Sequence, residues 1–227
     1  MDAIRAQYGQ HAIGRLRAQP ARPLLPTHLP PLDALTGGLP RGRLTELVGH
    51  GSSGLQTLAL TILANSQTHG RNVAYIDLGS TLDAAFAVGC GVDLKTLVRI
   101  CPRDAAQGFE IVYTLLQREA VELLIMDGWP LLYEGGGVLA SALPQLARPL
   151  ARSGAAFVML SHPHLSRTPI ADHAALRLHI ERRAWLTRYG DTVGYRSAVT
   201  VLKSRTARIG QSATLDLAFN LGGDRYL

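Results

Sequence analysis

A run of nine residues, Gly49-His50-Gly51-Ser52-Ser53-Gly54-Leu55-Gln56-Thr57, has the types and spacing of a phosphate-binding turn. An apolar stretch, Leu44 to Val48, leads into it, and a helix-like stretch, Leu58 to Asn65, follows. Strand, glycine-rich loop and helix form the setting in which backbone N–H groups cradle phosphates, and the full pattern reads G-x-x-x-x-G-K-[ST]. Gly49 and Gly54 keep the glycine spacing. Leu55 stands where the lysine belongs, and Gln56 stands where the magnesium-binding hydroxyl belongs. Thr57 carries a hydroxyl one position late.

The substitutions have an energetic consequence. A cation 4 Å from a phosphate is worth on the order of 4 kcal/mol at an effective dielectric near 20. Leu55 supplies none of this. Backbone N–H groups of Ser52, Ser53 and Gly54 at a helix N-terminus still suit an anion. The expectation is a degenerate nucleotide or anion site in which ATP and magnesium bind weakly or not at all, and a chain that is not an enzyme. Asp127 ends an apolar strand, Leu123 to Met126, where a magnesium-side carboxylate would stand. It reads as the remnant of a metal site, against the plainer reading of an Asp capping the turn at Gly128.

The elements that hold these residues alternate. Strands are expected at 44–48, 73–77, 97–100, 122–127 and 155–160, with helices at about 54–69, 82–89, 105–120 and 138–153 between them. Such β-α alternation with near-continuous apolar strands predicts an α/β fold, a mostly parallel central sheet flanked by helices. Strands at 176–180, 198–203 and 214–219 have no helices between them and are expected to be antiparallel. Residues 3–16 read as a short amphipathic helix, a turn at Gly9 and an extended piece. Residues 18–31 carry Pro20, Pro23, Pro26, Pro30 and Pro31, so residues 1–31 are expected to form an arm and tether. Residues 32–227 form a single core, with no separate C-terminal domain expected.

Bulk properties narrow the classes. The chain has 227 residues, 47% hydrophobic and 18% charged, which suits one globular domain. No apolar run reaches the roughly 18 residues of a membrane span, and the N-terminus lacks a signal-peptide core. A cytoplasmic protein with no membrane partner is expected. The two cysteines, Cys90 and Cys101, read as free thiols rather than as a disulfide or zinc framework. His162 and His164 read as loop residues, and no metal site is expected. Net charge is +6, but residues 1–145 carry −1 and residues 146–227 carry +7. Arg182, Arg183, Arg188, Arg196, Lys203, Arg205 and Arg208 crowd one stretch. They suit sequence-independent contact with nucleic-acid phosphates or, equally, a subunit-contact face. Trp185 and Tyr189 are the candidate base-stacking residues beside them.

From about Ile4 to Phe219 the sequence resembles the core of bacterial RecA recombinases, and hence a RecA-like P-loop NTPase fold. The resemblance rests on several runs. These are Ile4 to Gly9, Leu32 to Leu35, Gly42 to Leu47, the loop 49–57 apart from Gly51, Leu55 and Gln56, Ala74 to Asp77, and Leu82-Asp83. It implies that the Ile4 to Gly9 helix packs on an adjacent filament subunit. Asp83 and Phe86 match adenine-contacting positions, although a helix-start Asp and a core Phe explain them equally well. Gly79 stands where the family has its catalytic glutamate. Lys203 and Arg205 match basic residues that reach a neighbour's ATP, which leaves a second reading: a weak, DNA-stimulated ATPase completed between subunits. Residues 161–167, including Arg167, take the place of the second DNA loop, and the glycines at 135–137 fall in a shortened first DNA loop.

A short RecA-like chain with such a loop is also similar to ImuA. That family acts in damage-induced SOS mutagenesis and translesion synthesis with ImuB, an inactive Y-family polymerase. The resemblance implies a non-hydrolysing accessory protein of the DNA damage response. Its implied partners are single-stranded DNA, a RecA filament and an ImuB-like polymerase, and self-association is compatible with it. A purely structural scaffold for a protein partner is a third reading.

Overall fold

The computed structural model describes residues 6–7, 23–128, 131, 137–162 and 169–218. Eight strands form one sheet in the order β3-β2-β4-β5-β1-β6-β7-β8. They are β1 (Arg43–Gly49), β2 (Val73–Asp77), β3 (Val98–Ile100), β4 (Leu123–Asp127), β5 (Ala156–Ser161), β6 (Leu176–Arg188), β7 (Asp191–Lys203) and β8 (Ser212–Ala218). The described helices are α1 (Pro30–Thr36), α2 (Leu55–Thr68), α3 (Ala84–Gly89), α4 (Ala105–Gln117), α5 (Val138–Ser153) and α6 (Pro169–His173). Strands β1 to β6 pair in parallel, while β6-β7 and β7-β8 are antiparallel. The α/β fold with antiparallel strands toward the C-terminus is the one the alternation predicts.

The strands read as continuous apolar runs because both faces are covered. Alternate residues enter opposite cores. Tyr75, Ile125 and Val158 pack under α2 with Leu58 and Ile62. Ala74, Ile76, Met126 and Met159 pack on the other face with Phe109, Val112, Leu143 and Leu146 of α4 and α5. One charged pair is buried among them. Glu46 of β1 is 1% exposed, accepts Ser161 Oγ at 2.7 Å and pairs with Arg177 of β6.

The expected tether is packed structure from Pro23 onward. Leu25 is fully buried and exchanges two backbone hydrogen bonds with Leu39, at 2.7 and 2.8 Å. Asp33 accepts from the Thr27 and His28 backbone, and Asn65 of α2 donates to Thr27 O. Pro30 and Pro31 open α1, where the missing N–H groups lack helical partners in any case. Of the arm expected at 3–16, only Ala6 and Gln7 are among the described residues, and they are helical.

Strands β6 and β7 are far longer than expected. Their outer halves carry charged and polar residues, so no apolar alternation marks them, yet they pair through to Arg188 and Asp191. The turn is Tyr189-Gly190, both at positive φ, 52° and 92°, as a two-residue hairpin turn matched to strand twist requires. The pairing shifts register between Arg182 and Ala184, a bulge at Arg183.

Candidate functional site

The loop 49–54 leaves the C-terminal end of β1 and turns into α2. Gly54 is the N-cap at φ 88°, a conformation glycine adopts without strain, and no side chain caps the helix. A Cβ on Gly54 would lie 2.9 Å from Ser197 Oγ, so the hairpin strand β7 presses on the loop from outside. Ser197 donates to Ser53 O at 2.9 Å, and Arg182 of β6 donates from Nη1 to Ser52 O at 2.7 Å. Ser52 itself has φ 60°. Ser53 is 5% exposed, and its Oγ has no hydrogen-bond partner. The loop borders a cleft of about 350 Å³ that also takes in Gln56, Phe86, Asp127, His162 and Tyr195.

At the acidic end, Asp127 Oδ2 accepts from Tyr75 Oη at 2.7 Å and from Gln56 Nε2 at 3.2 Å. Burial pushes the Asp127 carboxyl above its ordinary range, which these two donors oppose and nearby Asp77 reinforces. Burial beside Asp127 raises the Tyr75 hydroxyl as well. Phosphate fits the loop: the helix start is uncapped and Ser53 Oγ is an orphaned donor beside it. Magnesium does not fit the arrangement as it stands. The carboxylate oxygen is held by two donors, and an amide replaces the usual hydroxyl.

Several sequence-derived residues meet here. Gly49, Ser52, Gly54, Leu55, Gln56, Thr57, Phe86 and Asp127 all line the cleft, while Ser53 is buried behind its lining. Leu55 is half-buried against the core, and Thr57 is buried. Asp83 is the N-cap of α3, accepting the Phe86 N–H at 2.8 Å. That is the helix-start reading of Asp83. Gly79 is exposed on the turn after β2.

The basic residues do not gather on one spot. Arg182, Arg183 and Arg188 lie on the outer half of the hairpin. Lys203, Arg205 and Arg208 lie at the far end of β7 and on the loop after it. Arg182 faces Ser197 in the pairing, so Lys203 is roughly 20 Å further along the strand at about 3.4 Å per residue. Arg183 pairs with Glu181 at 3.1 Å, and Arg196 pairs with Asp216 through two bonds of 2.7 Å. Lys203 Nζ donates to the Ala171 and Asp172 carbonyls. Arg205 and Arg208 are exposed. Arg167, His164, Gly135 and Gly136 lie outside the described residues, as do most of both expected DNA loops.

Sequence reasoning missed four contributors. Tyr75, read as a strand residue, is the main donor to Asp127. Tyr195 and Ser197 belong to a part of β7 not expected as strand. His50 meets His162 edge to face, ring centroids 4.8 Å apart, in the cleft. A polar tip on an otherwise apolar β2 was the one available signal for Tyr75. Tyr195 and Ser197 depend on the β6-β7 pairing, and His50 on the pairing of β1 with β5.

A mostly parallel sheet with a glycine loop between β1 and α2, and a carboxylate at the end of β4, is the architecture of the P-loop class of α/β proteins. The model of the RecA N-terminal domain matches residues 1–134. RecA of Streptomyces avermitilis is 32% identical over 98% of this chain and 67% of its own length. RecA of Thermus thermophilus is 28% identical over 99% of the chain and 76% of its own length. RecA of Symbiobacterium thermophilum is 30% identical over 96% of the chain and 72% of its own length. The chain belongs to the RecA family. This corrects the expectation that it is not an enzyme. That expectation came from Leu55, Gln56 and Gly79 alone, whereas relatives aligned along nearly the whole chain are RecA proteins.

Proposed function

We propose that this RecA-family protein is an accessory factor of the DNA damage response, acting on single-stranded DNA together with RecA protomers, copies of itself or both. An ImuB-like inactive polymerase is the partner this reading adds. The carrying observation is the exposed hairpin. Trp185 is 49% and Tyr189 94% exposed, with Arg182 and Arg188 stacked on or near them. Large aromatic faces among guanidinium groups suit unstacked bases and backbone phosphates without sequence preference. The test is binding of a fluorescent oligo-dT, together with RecA filament assembly in the presence of the purified protein. We expect binding that weakens with salt and a changed filament assembly rate. Neither DNA binding nor any effect on filaments would remove this reading.

Within it, the loop takes the phosphates of a nucleotide. The backbone provides the cradle, Phe86 a flat apolar wall and Asp127 the acidic end. Family membership favours DNA-stimulated turnover completed between subunits, in which the Lys203 or Arg205 of a neighbour brings a cation. Lys203 would then have to leave the Ala171 and Asp172 carbonyls. Phosphate release from ATP in the presence of oligo-dT, lost in Lys203→Ala, is the expected result. Turnover unchanged in that variant would exclude the neighbour's lysine.

A further inference from the structure

The loop lacks a lysine at position 55, yet a cation reaches it from elsewhere in the same chain. We propose that Arg182 is the phosphate-gripping cation of this site, supplied in cis by β6 for the phosphates of a nucleoside di- or triphosphate. The proposal rests on the reading that the loop holds a phosphate-bearing ligand.

The placement follows from the sheet. Strand β6 pairs with β1 in parallel, and Ile180 stands opposite Gly49, the first residue of the loop. Two residues further along β6, Arg182 lies beside the loop as it turns, with Nη1 2.7 Å from Ser52 O. Residues three apart on a regular strand point to opposite faces. The bulge at Arg183 breaks that alternation and brings Arg182 and Trp185 together. The guanidinium carbon lies 4.0 Å from the indole centroid and 6.0 Å from that of Tyr195, itself a cleft residue. The ring and the Ser52 carbonyl hold the guanidinium beside the loop, from which an oxygen pair can draw it.

The charge of Arg182 is available. Its neighbour Arg183 is compensated by Glu181, whereas among the described residues no carboxylate pairs with Arg182. A guanidinium has five N–H donors. One contact, to Ser52 O, is made in the structure. A second feature of the loop points independently to a ligand. Ser53 Oγ is buried without a partner, 2.5 Å from where a Cβ on Gly49 would stand. It lies against Gly49, which lines the cleft, and a phosphate oxygen held by the turn would satisfy it. Leu55 then takes on a packing role against the core, and the charge has moved from the helix to the neighbouring strand.

Trp185 makes the idea testable without an activity assay. In a Trp129→Phe background it is the remaining tryptophan of the two in the chain. The probes are ATP, ADP and inorganic pyrophosphate, followed by calorimetry and by indole emission. We expect all three to bind and to change Trp185 emission as the guanidinium shifts from the ring to the phosphates. Arg182→Gln should weaken binding about tenfold or more and abolish the emission change, and Arg182→Lys should recover part of the affinity. Unchanged affinity in Arg182→Gln, or binding to the Trp129→Phe protein with no change in Trp185 emission, overturns the role of Arg182 and leaves the loop reading intact. If that protein binds none of the probes, the loop reading fails and this proposal falls with it. The emission readout needs no Arg182 variant, so it decides the matter even if Arg182→Gln fails to fold.

Discussion

Asp127 shows how one residue's surroundings set its chemistry. It ends a buried strand, and its carboxylate is held by Tyr75 and Gln56. Because burial raises its folded pKa, the folded state holds the proton more tightly than the unfolded chain does. Stability from this group is therefore complete below the ordinary Asp value, near 4, and declines as pH rises through the raised one. Asp127→Asn removes the charge and keeps an acceptor for Tyr75. Its melting temperature should exceed that of the wild type at pH 7, and the gap should close as pH falls toward about 4. A gap independent of pH would mean that Asp127 ionises as readily folded as unfolded.

The loop and the hairpin depend on each other as elements. Strand β7 presses on Gly54, and both the Ser52 and Ser53 carbonyls bond to hairpin side chains. Gly54→Ala combines a left-handed backbone with a contact too close for a methyl group. We expect a loss of roughly 1–3 kcal/mol in stability by urea denaturation, with weaker phosphate binding. Beneath the site, Glu46 and Arg177 tie β1 to β6. Arg177→Ala leaves a carboxylate buried and unpaired, and the expected loss is about 3–5 kcal/mol by the same measurement. A loss under about 1 kcal/mol would show that Glu46 finds water or another partner.

At the scale of the molecule, Arg182, Arg183 and Arg188 share the outer half of the hairpin with the exposed Trp185 and Tyr189, away from the apolar cores on the two faces of the sheet. If Arg183 and Arg188 each meet one phosphate, replacing both with Gln should make the slope of log K against log salt shallower by about 1.4. Titrations of oligo-dT at several salt concentrations measure it directly. An unchanged slope would move the DNA contact off the hairpin and toward Lys203, Arg205 and Arg208. Among the described residues, no helix is long and apolar enough to cross a membrane.

The amino-acid sequence determined the β-α order, the position of the loop and the parallel sheet buried on both faces. These follow from local periodicity and from glycine spacing, which neighbouring residues encode. Helix α5 begins and ends at the predicted residues because Val138 to Ser153 is strongly periodic and Gly154 stops it. The tertiary structure decided what surrounds the loop. Arg182 meets Ser52 across 130 residues of chain, and Gln56 meets Asp127 across 71. Such contacts depend on strand order, register and one bulge, which no window of sequence contains. The polar outer half of β6-β7 carries no apolar signal either, since its pairing is fixed by the turn and by the strands that feed it. The sequence therefore showed a phosphate loop without its lysine, and only the folded sheet brought an arginine beside it.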